Sequence, residues 1–232
     1  MLRSALHPLA LAAAIAFLPA LAQADVYTVQ VTGTVDLSSG TATNMASLVP
    51  LGSTVTMSFT VDSNNTLAST VAPTTTRGYL VDPGSFKIIA NGLNVGVSLS
   101  SPMYFSLRNN DPRVDGVFLS TDANYDRAFT TTVPGFLAGG QPANLSFNYH
   151  QTWTGGNQFS SLNIADAVGS YGTQNISVYQ MDFELPGGFI ALEVNVPTLT
   201  IAAAVPEPGE WALLAAGLGP VGFAARRRRA AC

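Results

Sequence analysis

A hydrolytic triad needs a side chain that exchanges protons near neutral pH, and His150 is the one histidine in the long central part of this chain. It closes the run Asn144-Leu145-Ser146-Phe147-Asn148-Tyr149-His150, where two-residue alternation sets it on the polar side with Asn148 and Ser146. That position predicts an exposed histidine at a strand end rather than a catalytic base. No Gly-x-Ser-x-Gly elbow and no phosphate-cradling glycine loop accompanies it.

Glycoside chemistry asks for paired carboxylates. Asp182 and Glu184 lie two apart on one strand face, with α-carbons about 7 Å apart at about 3.4 Å per residue. Acids so placed on a wet face ordinarily serve solubility and edge protection, and that is the reading adopted here. Asp122, Asn124 and Asp126 put oxygen ligands at alternate positions, as the start of a calcium loop does. The pattern then breaks: Arg127 stands where such a loop needs glycine, and no closing glutamate follows. These three remain a weak calcium candidate, with Asp111 and Asp115 as further ligands from a second loop, against plain turn chemistry. No cofactor is implied. The sole cysteine is Cys232, so a structural zinc site has no ligand set and the body has no disulfide.

Charge narrows the partners. Between residues 25 and 205 there are twelve acids against five bases (Arg77, Lys87, Arg108, Arg113 and Arg127), a formal charge of −7. Such a surface repels phosphate backbones, which excludes nucleic acid as a partner. Asn-x-Ser/Thr occurs at Asn64, Asn144 and Asn175, and it is read as incidental.

The elements that must position these residues read as strands. Thr, Val, Ser, Asn and Gly dominate the central part, and period-two alternation recurs where helical periodicity is nearly absent. Val55, Met57, Phe59 and Val61 face a core in the clearest strand, with Thr56, Ser58 and Thr60 wet. Tyr27-Val29-Val31, Tyr179-Met181-Phe183-Leu185 and Leu192-Val194-Val196 alternate likewise, and this places Gln180, Asp182, Glu184 and Glu193 in solvent. Turn clusters separate the runs, among them Asp62-Ser63-Asn64-Asn65 and Asn91-Gly92, the latter the strongest hairpin signal. The piece from Thr70 to Thr76 reads as a mobile surface loop. The spacing predicts an all-β fold, an antiparallel β-sandwich of about nine to eleven strands, with a closed barrel as the alternative.

Both ends of the chain carry targeting chemistry. Arg3, an apolar stretch from Leu9 to Leu18, and Ala22-Gln23-Ala24 follow the order of a secretory signal, so residues 1–24 are read as a signal peptide cut after Ala24. Ten helical residues cover roughly 15 Å, about half a hydrocarbon core, too short for a retained anchor. At the other end Val205-Pro206-Glu207-Pro208 form an extended, accessible segment. Trp211 suits a membrane interface, Ala212 to Ala225 are apolar, and Arg226, Arg227, Arg228 and Arg229 act as a stop-transfer cluster that stays cytoplasmic. From Trp211 to Ala225 a helix is roughly 22 Å long, which suits transient insertion as a short transmembrane helix.

This tail resembles the PEP-CTERM sorting signal of Gram-negative bacteria, with its Pro-Glu-Pro motif, short transmembrane helix and arginine cluster. The resemblance covers about the last 28 residues, 205–232. It implies recognition and removal of the tail by an exosortase-like membrane protease, after signal peptidase has cut the other end. It also implies an association with exopolysaccharide and biofilm. The expected organisation is a signal peptide (1–24), a β-sandwich body (25–204) and a sorting tail (205–232). The expected role is a non-enzymatic cell-surface or matrix protein, secreted or held on the outer surface after transient inner-membrane anchoring. The alternative is a secreted carbohydrate-binding module or hydrolase on a β-sandwich. An exposed group among Tyr149, Trp153, Phe159, Tyr171 and Tyr179 would favour that alternative.

Overall fold

The computed structural model describes residues 26–40, 42–98, 101–124 and 129–204, the side chains of residues 196 and 197 excepted. Asp25, Ala22, Ala24, Asp126, Arg127, the Val205 to Pro208 motif, Trp211, Arg226 to Arg229 and Cys232 lie outside the described residues.

Long alternating runs become long strands. In chain order they are β1 (Val26–Ser38), β2 (Thr54–Ala68), β3 (Thr76–Val81), β4 (Lys87–Ala90), β5 (Leu93–Ser98), β6 (Tyr104–Arg108) and β7 (Val114–Ser120). There follow β8 (Phe129–Thr132), β9 (Leu137–Ala138), β10 (Gln141–Pro142), β11 (Leu145–Thr154), β12 (Gly169–Tyr171), β13 (Ile176–Leu185) and β14 (Phe189–Ala203). Among the described residues helix is confined to α1 (Met45–Leu48) and a 3₁₀ turn at Ile164–Ala167, where the Asn163 side chain caps the Ala165 N–H.

The all-β antiparallel expectation holds. The strand number does not: among the described residues twelve strands join one sheet and β9 with β10 make a separate two-stranded ribbon, against the nine to eleven expected. Short pieces such as β4, β8 and β12, of three or four residues, carry too little alternation to be read separately.

Hydrogen-bonded neighbours run β1-β14-β13-β11-β7-β6-β3-β2, and β1 also pairs with β2, so this path returns on itself. A second arc leaves β2 through β4, β5 and β8 and rejoins at β11. The two longest junction strands change partners along their length. Val55 to Ser58 of β2 pair with β4, and its last residues, Thr66 to Ala68, pair with β3. Leu145 to Phe147 of β11 pair with β8, while His150 to Thr154 pair with β7. Twist and bulges let one long strand serve two directions in this way.

One such irregularity corrects the sequence reading. Asp62-Ser63-Asn64-Asn65 is not a turn but part of β2, which crosses it with a register shift between Val61 and Thr66. Polar residues in a bulge carry no alternation, so the strand looked finished at Val61. The Asn91-Gly92 turn, by contrast, joins β4 to β5 as expected, with φ of 49° and 79° at the two residues. Those left-handed values are what a two-residue hairpin turn of this hand requires.

The inner faces fill the core. Tyr27, Val29, Val31, Val55, Met57, Phe59 and Val61 are all buried, and Phe59 stacks on Phe86 and tilts against Phe105 with ring centres 5.6 and 5.5 Å apart. Phe147 meets Phe183 at 5.0 Å across the β11–β13 pair. Each fully buried side chain of this size contributes about 1.5 to 3 kcal/mol through loss of apolar surface from water. Among the described residues no helix is long and apolar enough to cross a membrane.

Candidate functional site

β11 lies between β7 and β13, and this placement decides the fate of its polar face. His150 stands opposite Phe118 on one side and Gln180 on the other. It is 7 % exposed, so the expected exposed strand-end histidine is corrected. The strand does not end there but continues to Thr154, and the neighbours that bury the ring come from distant stretches of chain. Burial, and then the positive charge of Arg108, lower its pKa to about 4. At neutral pH the imidazole is therefore uncharged, well below the near-neutral value that suits a general base. Two residues on, the Arg108 Nη2 donates to Thr152 Oγ1 at 2.9 Å, so the guanidinium is oriented on the same face.

Asp182 is the second correction. It alternates with Met181 and Phe183 as expected, yet it is 2 % exposed rather than in solvent. Asn148 Nδ2 donates to it at 3.1 Å and Gln180 Nε2 also donates to it. Burial outweighs these bonds and raises its pKa. Glu193 is its direct cross-strand partner on β14. Glu184 and Glu193 remain partly exposed, and both are raised, first by burial. Asp182 adds to the shift of Glu184, and Asp36 and Asp182 add to that of Glu193. The two acids read as a solvent-facing pair thus differ: Asp182 is buried beneath the Asn148 and Gln180 amides, and Glu184 meets water.

Two of the three calcium-candidate residues, Asp122 and Asn124, are described, and both make turn hydrogen bonds. Asp122 Oδ1 accepts the Asn124 N–H at 3.0 Å. Asn124 then spans to the β2–β3 connection, accepting from Ser69 Oγ at 2.9 Å and from the Thr70 N–H at 3.2 Å, and donating to Thr70 Oγ1 at 3.1 Å. The Thr70 to Thr76 segment, expected as a mobile loop, is a turn closed on itself by Thr76 N–H to Ala72 O at 2.9 Å and tied to Asn124. Asp115 is fully buried and accepts three backbone N–H groups, from Asn110 at 2.9 Å, Gln158 at 2.6 Å and Phe159 at 2.9 Å. Its oxygens are thereby committed to holding two loops together. Among the described residues no group of three or more His, Cys, Asp or Glu is placed to hold a metal ion.

The aromatic group turns inward. Trp153 and Phe159 are buried, and with half-buried Tyr171 they form a cluster with ring centres 5.2 to 6.0 Å apart. Trp153 Nε1 donates to Gly172 O at 3.0 Å. Tyr149 is buried too, its hydroxyl donating to Gln151 Oε1 at 3.0 Å, and burial holds its pKa well above the usual value. Tyr179 is half-buried. Three of the five therefore make a core cluster, Tyr149 is buried in the core and Tyr179 is half-buried, so the group does not present an exposed platform for a sugar polymer.

A cavity of about 240 Å³ opens where the β2–β3 turn, the ends of β6 and β7, and the Ala123-Asn124 turn meet. Ser69, Thr76, Arg108, Asp111, Phe118 and Asn124 contribute to its lining. None of Arg108, Phe118 and Thr76 stood out in the sequence as a site residue. The one available signal was the scarcity of bases in an acidic body, which makes each arginine worth locating. Comparison with known protein families, with characterised proteins and with solved structures finds no match.

Proposed function

We propose that the chain is an exported, non-enzymatic cell-surface or extracellular-matrix protein of a Gram-negative bacterium, cut by signal peptidase and then released from a transient membrane anchor by an exosortase-like protease. The body is read as a flattened, sandwich-like form of the closed sheet, working in association with exopolysaccharide.

One observation carries this reading. The signals at both ends of the sequence flank a body whose first and last strands are hydrogen-bonded neighbours: Ala204 donates its N–H to Val26 O at 2.7 Å. A body closed by β1 and β14 is complete before the tail begins at Val205, and the tail can be removed without unpicking the fold. The two segments flanking the body also leave from the same corner, which suits a domain tethered at one end to a membrane. The buried, uncharged His150 and the buried Asp182 support a non-catalytic role, since neither offers an accessible proton-transfer group.

Intact-mass analysis of the protein recovered from cells and from medium tests both cuts at once. The expected extracellular form starts at Asp25 and lacks Arg226 to Arg229. An extracellular form that retains the four arginines overturns the reading.

A further inference from the structure

We propose that Asn64 accepts an N-linked oligosaccharide on the outer side of the membrane, transferred from a lipid-pyrophosphate donor by a membrane oligosaccharyltransferase. This goes beyond the sorting reading and rests on it only for access to that donor, since the acceptor has to leave the cytoplasm first.

Asn-x-Ser/Thr occurs three times, and the fold treats the three differently. A transferase must take hold of the asparagine amide and of the hydroxyl two residues on, so both ends of the triplet have to be reachable. At Asn144 they are not. Its amide oxygen accepts Thr132 Oγ1 at 3.2 Å, Leu145 is buried, and Ser146 lies in β11 between Thr130 of β8 and Glu184 of β13. At Asn175 the asparagine is exposed, but Ile176 packs against the core and the Ser177 hydroxyl donates to Thr152 O at 3.1 Å.

Asn64, Asn65 and Thr66 are exposed one after another. They sit in the bulge of β2, where the register with β1 stops at Asp62 and the register with β3 resumes at Thr66. Ser63, Asn64 and Asn65 therefore stand between two ladders, and an enzyme can engage the acceptor without parting a paired strand. Asp62 Oδ1 accepts the Asn64 N–H at 2.8 Å, which turns the chain at the acceptor itself.

In the transfer, Asn64 Nδ2 forms a bond to the anomeric carbon of the first sugar. The bond from that carbon to the lipid pyrophosphate breaks, the pyrophosphate leaves with the electron pair, and one Nδ2 proton passes to a base of the transferase. The donor supplies the energy, and no oxidant or reductant is needed.

Trypsin digestion of the full chain recovered from envelope and medium, followed by mass spectrometry, provides the test. No base lies between Arg3 and Arg77, so one peptide reports both the N-terminal cut and Asn64, while the other two triplets lie beyond Arg127. The expected peptide runs from Asp25 to Arg77 and carries a glycan. Asn64→Gln and Thr66→Ala are expected to lose the glycan completely, and Thr66→Ser to keep it, all three with an unchanged melting temperature. The bare peptide from Asp25 to Arg77 overturns the proposal and leaves the export reading standing. A bare peptide that starts at Ser4 overturns both, and one that starts at Ser4 with a glycan overturns the cut alone. A glycan that survives Asn64→Gln or Thr66→Ala, or one found equally at Asn144 or Asn175, also overturns the proposal.

Discussion

Asp115 Oδ2 accepts the N–H of Phe159 at 2.9 Å across 44 residues of sequence, and Phe159 in turn packs its ring edge-on against Trp153 at 6.0 Å. The carboxylate thereby joins the start of β7 to the loop that follows β11, and the aromatic cluster is assembled on that link. With Asn110 and Gln158 it receives three backbone N–H groups at one buried side chain.

Asp115→Ala removes both carboxylate oxygens, and with them the acceptors of all three hydrogen bonds, and leaves buried donors behind. At about 1 to 3 kcal/mol for each unsatisfied group, with water entering to satisfy some of them, the expected loss is about 3 kcal/mol. Asp115→Asn keeps one oxygen and turns an NH₂ group toward the remaining donors, so about half of that loss is expected. Urea midpoints at constant slope check both.

His150 gives the fold an acid sensitivity of definite sign. Its folded pKa of about 4 lies below the unfolded value of 6.5, so below pH 6.5 the unfolded chain takes up the proton first. The stabilisation is complete above pH 6.5 and is lost as pH falls toward 4, by up to about 3 kcal/mol. His150→Gln is expected to flatten this part of the profile. Replacement by alanine also opens a buried void, so it should cost about 2 kcal/mol at pH 7, where an exposed residue would cost no more than about 0.5. Unfolding curves between pH 4 and 7 decide between the two.

Alternation made the inner faces legible. Val55 to Val61, Tyr27 to Val31 and the Asn91-Gly92 turn were readable because strand period and turn conformation are properties of neighbouring residues. The outer face was not, for the same reason. Whether a polar side of a strand meets water depends on what covers it, and His150 is covered by Phe118, 32 positions earlier in the sequence, and Gln180, 30 positions later. Asp182 is covered through Asn148, and Asp115 by donors 43 and 44 residues away. Long-range pairing of this sort leaves no local period. The reading of the two ends as export and sorting signals rests on charge order and apolar length, which act without tertiary structure, and both ends lie outside the described residues.

Asp182 should shape stability with the opposite sign to His150. An acid whose pKa is raised on folding binds its proton first in the folded state, so stability declines as pH rises from about 3.8 through the folded value. Asp182→Asn is expected to remove this decline while Asn148 and Gln180 reorient their amides. It should also lower the pKa of Glu184 and of Glu193, because each loses a neighbouring negative charge. Carboxyl-carbon chemical shifts followed through a pH titration measure all three groups. Unchanged titration of Glu193 in the variant would show that its shift comes from burial and Asp36 alone.

The arginine cluster tests the topology from which the export reading starts. Four guanidinium groups resist passage through the hydrocarbon core, each by about 2.5 to 3.5 kcal/mol on the scale measured for helix insertion. Replacing Arg226, Arg227, Arg228 and Arg229 by glutamine lowers that resistance, and the short apolar run from Ala212 to Ala225 then has little to hold it in the bilayer. The expected outcome is a body that still loses residues 1–24 but passes through the membrane with its tail attached. Mass spectrometry of the medium should then find the chain running from Asp25 to Cys232, heavier than the normal product by the whole uncut tail. Unchanged localisation together with normal tail removal would mean that the arginines neither stop transfer nor present the Pro206-Glu207-Pro208 motif, and the topology would have to be rebuilt without them.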